Sequence, residues 1–384
     1  IDYSKGIKIL DEGKISLGAL YDNQTYTTTS KGVTNLDYTR YTFSSYGEAQ
    51  AKLKKFTFTL GARAENYDIS GITVDKDSNG NLKTDDLIPF KKFKFFPNAS
   101  VQYNIFPQAF FKINYNKKIN LPSVSLLNPN NTVYQGSTVI TNGNPYLQPT
   151  IYDNLETELN AFDYMFIGYN TSWVNNQIVQ KVSRDGNVII SSQAQINQLR
   201  THNFKVGFPL PFAVFSKSLK EIFASNPNPD KYNFLYFYLG YQLQDMPDIK
   251  SNGFWIYNLM GQFILPKNIK MVANYSYVAP KGNYYYFDIK YPLNNSFDIN
   301  ISKKFLKDRL SVSIFANDIF NQNKTKLQSF FGNVNIANNY DSRNFGFTLN
   351  YKIPTKNKLA KEDPNLINRQ EKKEDNADLL QKGQ

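Results

Sequence analysis

The chain has 384 residues, no cysteine, one histidine, 30 Phe, 27 Tyr and a net charge of +12. Its mean hydropathy of −0.49 is too low for a helical membrane protein, and no run approaches the roughly 18 apolar residues of a spanning helix. The missing cysteines exclude a disulfide framework, a thiolate zinc site and a cysteine nucleophile. The lysines are scattered rather than gathered on a helix or patch, which argues against a nucleic-acid partner.

In chain order, the sequence opens on Ile1-Asp2-Tyr3 with a partial strand over residues 1–9 and no charged or apolar leader. Period-two alternation then dominates to about residue 354. Phe56, Phe58, Leu60 and Ala62 alternate with Thr57, Thr59, Gly61 and Arg63. Phe111, Ile113 and Tyr115 follow the same rule, as do Leu155, Thr157 and Leu159, and Phe297, Ile299 and Ile301. The last stretch, Phe345 to Ile353, is the cleanest. Strands of roughly 10 residues, apolar on one face and polar on the other, predict an all-β chain. The architecture expected is an antiparallel transmembrane β-barrel with outer-membrane lipid around it and about fourteen strands plus the partial one.

The connections alternate in kind. Short ones fall at Lys54-Lys55, Pro107-Gln108, Asp163, Pro266-Lys267 and Lys307-Asp308. Long polar ones are expected over 68–91, 117–150, 184–197, 279–294 and 321–343. Short periplasmic turns and long extracellular loops are the outer-membrane pattern. Phe56, Phe106, Phe162, Phe212, Phe305 and Tyr351 gather at the short-turn ends, as an interfacial girdle would. Residues 216–225 have helical periodicity and a serine N-cap, with Pro227 and Pro229 to stop the helix. Residues 355–384 are rich in Lys, Glu, Asp and Asn and read as a flexible periplasmic tail.

Candidate sites are few. Arg63 and Glu65 share the lumen face of one strand, as do Glu156 and Glu158, about 7 Å apart on theirs. Paired carboxylates suit glycoside hydrolysis, but a polar lumen wall facing plug and water explains Glu156 and Glu158, and Arg63 and Glu65 read as plug-docking or field-setting charges, equally without chemistry. His202, the one histidine, has no thiol to build a zinc site with and no serine elbow to build a triad with, so no metal, cofactor or enzymatic role is expected. Gly186 and Gly332 stand outside any phosphate-binding fingerprint. Tyr284, Tyr285, Tyr286 and Phe287 cluster in an extracellular loop and are candidates for ligand contact. Loop 117–150 is long enough to fold over the mouth as a lid.

Several stretches, in order, resemble the C-terminal barrel portion of a TonB-dependent receptor of the outer-membrane β-barrel type common in Bacteroidota. They are Gly61-Ala62-Arg63-Ala64-Glu65-Asn66, Phe96-Pro97-Asn98, Asn114 to Pro122, Gly143-Asn144-Pro145-Tyr146-Leu147-Gln148-Pro149, and Asn317-Asp318-Ile319-Phe320-Asn321. Lys117 stands where the family prefers arginine, and Thr150 where it prefers an acid.

The resemblance implies a plugged barrel of about 22 strands. It therefore implies further strands and a plug upstream, or on a complementary chain, since an odd count does not close a bacterial barrel. It also implies uptake of an iron chelate, cobalamin, oligosaccharide or peptide, energised by inner-membrane TonB machinery through the plug. The alternative is a scaffolding barrel that binds a periplasmic partner through its tail.

Overall fold

A computed structural model of the protein describes residues 1–30, 33–76, 82–128, 132–133, 138–162, 164–215, 232–338 and 341–353. The helix expected over 216–225 and the tail from residue 354 lie outside them. One 16-stranded sheet dominates, and its path follows chain order with every neighbour antiparallel. Its strands begin with β1 (Asp2–Ile7), β2 (Glu12–Ser30), β3 (Val33–Leu53), β4 (Phe56–Lys76) and β5 (Phe90–Phe106). Next come β6 (Ala109–Asn120), β7 (Thr150–Ala161), β8 (Met165–Asn175), β9 (Leu199–Pro211) and β10 (Phe234–Asp245). The path ends with β11 (Phe254–Leu265), β12 (Ile269–Val278), β13 (Leu293–Phe305), β14 (Leu310–Asn317) and β15 (Asn344–Tyr351). The sixteenth strand, Leu82–Asp86, pairs with β4 off this path. The series matches the number of strands expected from the alternation. Among the described residues, neither β1 nor β15 is paired along its outer edge.

Register decides which side chains share a face. Leu60 stands opposite Ala49 and Ala99, Leu155 opposite Tyr115 and Thr171, and Ile314 opposite Ile301 and Phe347. This face carries the wall's exposed large apolar side chains, with Leu60 at 68% and Phe347 at 72%. In water so much exposed apolar surface would drive aggregation; against hydrocarbon it is the stable arrangement. The opposite face is polar, with Thr59, Ser100, Asn114, Glu156, Asn170 and Asn203 standing side by side across six strands. Apolar-out, polar-in alternation is therefore carried through β4 to β9, while the inner face of β10 and β11 also holds Tyr236, Tyr238, Ile256 and Met260.

Short turns close one end. Lys54, Leu306, Lys307 and Asp308 take the left-handed conformation that tight reversals need. The aromatic girdle at that end holds: Phe56, Phe106, Phe305 and Tyr351 are exposed, Phe106 packs on Phe162 at 5.6 Å, and Phe212 meets Phe263 at 5.9 Å.

Two expectations need correction at the other end. Strands β2, β3 and β4 run 19, 21 and 21 residues rather than about ten. The supposed loop 68–91 is mostly wall: β4 continues to Lys76, Leu82–Asp86 pairs with it, and β5 starts at Phe90. Alternation continues there, but with Asp68, Ser70 and Thr39 on the outer side, where the wall has risen past the hydrocarbon and water rewards polar groups. Lys91 Nζ lies 3.2 Å from Asp68 on this rim.

The other long connections are folded, not structureless. The stretch read as loop 184–197 belongs to a hairpin, Gln177–Asp185 with Val188–Ile196. Its second strand pairs in parallel with Val139–Asn142, which in turn pairs with Thr132–Val133. A second small sheet joins Asn283–Tyr284, Phe287–Ile289, Thr325–Ser329 and Asn335–Asn338. A four-residue helix, Val124–Leu127, lies between β6 and the first small sheet.

Candidate functional site

The long-loop end carries a cap of folded connections, built by burying apolar side chains against the upper inner wall. In one cluster Leu127 and Leu147 of the 121–149 connection cover Tyr38, Ile69 and Phe90 of β3, β4 and β5. A second gathers Phe254, Val278 and Leu293 of the wall with Phe287, Ile289 and Leu327 of the second small sheet. A third holds Val174 and Leu199 of the wall with Val179 and Ile196 of the hairpin. The hairpin Gln177–Ile196 reaches all three: Ile178 packs on the first, Val182 sits in the second, and Val179 and Ile196 sit in the third. Each fully buried Val, Leu or Phe contributes about 1.5–3 kcal/mol, so the hairpin is the piece that ties the connections into one body.

Specific contacts fix it there. Ser329 Oγ donates to the Val182 carbonyl, and Lys181 Nζ lies 4.4 Å from the centroid of Phe331. Gly332 takes φ +73, and a Cβ there would stand 3.0 Å from the Arg184 backbone nitrogen. Only glycine fits so close an approach in that conformation. On the other flank, Gln195 Oε1 accepts from Gln148 N at 3.0 Å and its amide donates to the Gln148 carbonyl at 2.7 Å.

The polar face below the cap holds the predicted charges. Arg63 and Glu65 do share it, and Glu65 is only 7% exposed. Its carboxylate accepts from Ser44 Oγ, from the Tyr67 hydroxyl and from Arg63 Nε at 3.2 Å. Arg63 also lies 5.2 Å from the Phe96 ring. Glu156 and Glu158 face the same way but do not form a bare carboxylate pair. Asn170 and Asn114 donate to Glu156 at 3.1 and 3.4 Å. Lys205 Nζ holds Glu158 at 2.8 Å, and the Asn160 amide also donates to it. Glu156 is thus solvated by amides and Glu158 is ion-paired, an arrangement that suits a polar wall.

His202 lies on the opposite, outward face, where its Nδ1 shares a 2.6 Å hydrogen bond with the Tyr169 hydroxyl. Of the four loop aromatics, Phe287 is 1% exposed and belongs to the cap's core. Tyr284 packs edge-on against Phe254 at 6.4 Å, and Tyr286 against Phe331 at 5.0 Å. Tyr284, Tyr285 and Tyr286 stay half-buried, so they keep surface a ligand can meet while Phe287 does not.

A model of the outer membrane protein beta-barrel family matches residues 9–351. The chain belongs to that family. Its place is the outer membrane, so the short turns are periplasmic and the cap extracellular. No curated protein matches the sequence. Among solved structures, the chain is similar to the copper transporter OprC, with 10% identity over 88% of this chain and 57% of that one, and a TM-score of 0.54. It is also similar to the ferric-catecholate import receptor Fiu from E. coli K12 in its closed form, with 11% identity over 88% and 55%, and a TM-score of 0.50. At such identities the likeness is one of fold, an outer-membrane β-barrel wall. The chain spans less than two thirds of either neighbour's length.

Two features of this barrel escape sequence reading. One is a hollow on the inner face of β12, β13 and β14, assembled only by register. The other is Asp318, which is 2% exposed at the extracellular end of β14. Its carboxylate accepts from Gln322 N at 2.9 Å, Asn323 N at 3.1 Å and Ser342 Oγ. Burial alone would raise its pKa, but the Ser342 hydroxyl, the two backbone N–H groups and Arg343 outweigh it and hold the carboxyl below its ordinary range. A depressed carboxylate stabilises above its unfolded pKa of about 4 and loses that contribution as pH falls through its folded value. The protection of the Gln322 and Asn323 amides against hydrogen exchange, taken relative to the intrinsic rate at each pH, should therefore hold down to about pH 4 and fall below it. In Asp318→Asn the protection should be weaker by about 1–3 kcal/mol and flat across that range. Equal protection in the variant at neutral pH would remove the carboxylate's role.

Proposed function

We propose that this chain forms much of the wall of an outer-membrane receptor that takes up a bulky nutrient. Residues 1–354 act as its barrel unit. The free edges of β1 and β15 are completed by further strands of the receptor or of a complementary chain, and a plug within the lumen couples it to the TonB machinery of the inner membrane. The observation that carries this reading is the folded cap. A general diffusion pore gains nothing from spending three apolar clusters on its own mouth. A receptor that captures scarce ligand and admits it on demand needs a shaped, closable entrance. The match of fold to an importer and a transporter supports the same class.

The test is genetic. A strain lacking the gene is grown with a ferric chelate, cobalamin, an oligosaccharide or a peptide as the limiting nutrient. Growth should fail on one of the four, return on complementation, and fail again when the inner-membrane energy-coupling protein is removed. A deletion strain that keeps pace with its parent on all four would end the uptake reading.

A further inference from the structure

The inner face of β12, β13 and β14 carries a hollow of about 350 Å³, within the size range of small-molecule sites. Val272, Asn274, Asp298, Asn300, Phe315 and Asn317 line it. Pairing assembles it: Val272 stands opposite Asn300, Asn300 opposite Phe315, and Asn274 opposite Asp298 on the side toward the cap. Above it sits the second small sheet, whose buried cluster takes Val278 and Leu293 from the upper ends of the same strands. Phe315 pairs with Gly346 of β15, and a Cβ at Gly346 would run into the ring. The ring therefore leans along the wall and stays half-exposed to the lumen.

The polar groups round this ring have bonding capacity to spare. Among the described residues, no hydrogen bond or ion pair engages the side chains of Asn274 or Asn300. Asp298 accepts from Ser296 Oγ at 2.6 Å and from Asp318 N at 2.7 Å, both on Oδ1, so Oδ2 stays available. Asn317 donates to Asn344 at 2.9 Å and keeps its own carbonyl oxygen. Gly346 accounts for the lean of Phe315, but not for unbonded amides and an open carboxylate oxygen beside it. Cations are distant on this part of the wall. Within β10 to β15 the inner-face lysines are Lys270 and Lys304, opposite Ser302 and Ser311, nearer the periplasmic turns. An anion in the hollow would therefore meet the Asp298 carboxylate. The strip also continues sideways, with Asn274 opposite Met260 and Met260 opposite Tyr236. From β10 to β14 is four strand spacings, about 19 Å, longer than a single sugar ring.

We propose that this strip binds a neutral oligosaccharide, with Phe315 as the platform for one sugar ring and Asn274, Asn300 and Asp298 as partners of its hydroxyls. A pyranose is apolar on its C–H face and hydroxylated round its edge. The hollow mirrors it, with aromatic carbon encircled by amides and a carboxylate. Each sugar hydroxyl both donates and accepts, as an amide side chain does, and the carboxylate takes donors that an anionic ligand does not offer. The inference rests on the uptake reading and narrows it to uncharged sugars, against anionic chelates.

The experiment uses the full-length receptor in a detergent without a sugar headgroup, titrated calorimetrically with maltoheptaose, laminarihexaose and xylohexaose. The wild type should bind at least one of them, with an affinity that holds as salt rises. Asn274→Ala/Asn300→Ala and Phe315→Ala should each bind it at least about tenfold more weakly, the size of two lost hydrogen bonds or one lost ring contact. Phe315→Tyr should retain binding, and every variant should run as a folded barrel on an unheated gel. Asn203→Ala, on the inner face of β9, should leave binding unchanged. No binding of any of the sugars by the wild type, whether the plug covers the strip or the strip is only wall, would overturn the proposal. So would undiminished binding by the Ala variants, or binding of acetyl-hexaglycine amide in place of the sugars. Each of these results leaves uptake of another nutrient standing, because the growth experiment tests that separately.

Discussion

Removing the hairpin Gln177–Ile196 is expected to dismantle the extracellular cap while leaving the barrel intact. The excision is geometrically mild. Val174 and Leu199 form the last pair of β8 and β9, so Asn175, Asn176, Asn197 and Gln198 would remain as a four-residue loop of an ordinary hairpin kind. The loss above the wall is large. Val179, Val182 and Ile196 leave two of the clusters, and Ile178 leaves the third. At about 1.5–3 kcal/mol per buried side chain, on the order of 5 kcal/mol of cap cohesion disappears. The parallel pairing of Ile189 to Ser192 with Val139 to Asn142 goes with it.

Because the chain has no cysteine, a single Asn258→Cys on the inner face of β11 reports lumen access cleanly. A membrane-impermeant maleimide added from outside should label it at least about tenfold faster in the excised receptor, since each 1.4 kcal/mol of lost closure is worth a factor of ten. The connections over 121–149, 279–292 and 318–343 should become protease-sensitive together. An unchanged labelling rate would mean that the hairpin rests on the cap without holding it shut.

The second expected result concerns the wall itself. Leu60→Arg should destabilise the barrel by about 2–4 kcal/mol, the cost of a cation on the lipid face near the bilayer midplane. Leu60 is exposed between Ala49 and Ala99, with no polar group beside it on that face to share the charge. Thr59→Arg, one residue away, should change stability by less than about 1 kcal/mol, because Thr59 lies between Gln50 and Ser100 on the aqueous face. Urea titration of the full-length receptor refolded into lipid vesicles compares the two directly. Similar costs at both positions would contradict the assignment of faces on which the transport reading stands.

Much of this was open to view in the residues. Alternation at Phe56 to Arg63 and at Phe345 to Ile353 placed lipid and lumen faces correctly, because a strand sends successive side chains to opposite sides whatever its neighbours do. The same rule put Arg63 with Glu65, and Glu156 with Glu158. The extended β4 was missed because its outer face turns polar at Asn66 and Asp68, where the signal for lipid stops although the strand does not. The hairpin Gln177–Ile196 was half-hidden for a different reason. Ile178, Val179, Val182 and Ile196 serve three separate clusters, so their apolar positions follow no single period. Tyr284 to Phe287 looked like one exposed group, yet Phe287 turns into the second cluster while its neighbours stay at the surface.

The sequence by itself determined the kind of protein: an alternating chain with short and long connections, belonging between lipid and water. Only the tertiary structure decided which side chains meet. Lys94 comes to face Glu65, and Lys92 to face Tyr67, through the pairing of β4 with β5. Ser329 reaches Val182 across 147 positions of chain. Orientation within a strand is a local property of L-residues, whereas register between strands is set by turns and by packing at a distance, and no short stretch of residues carries that information.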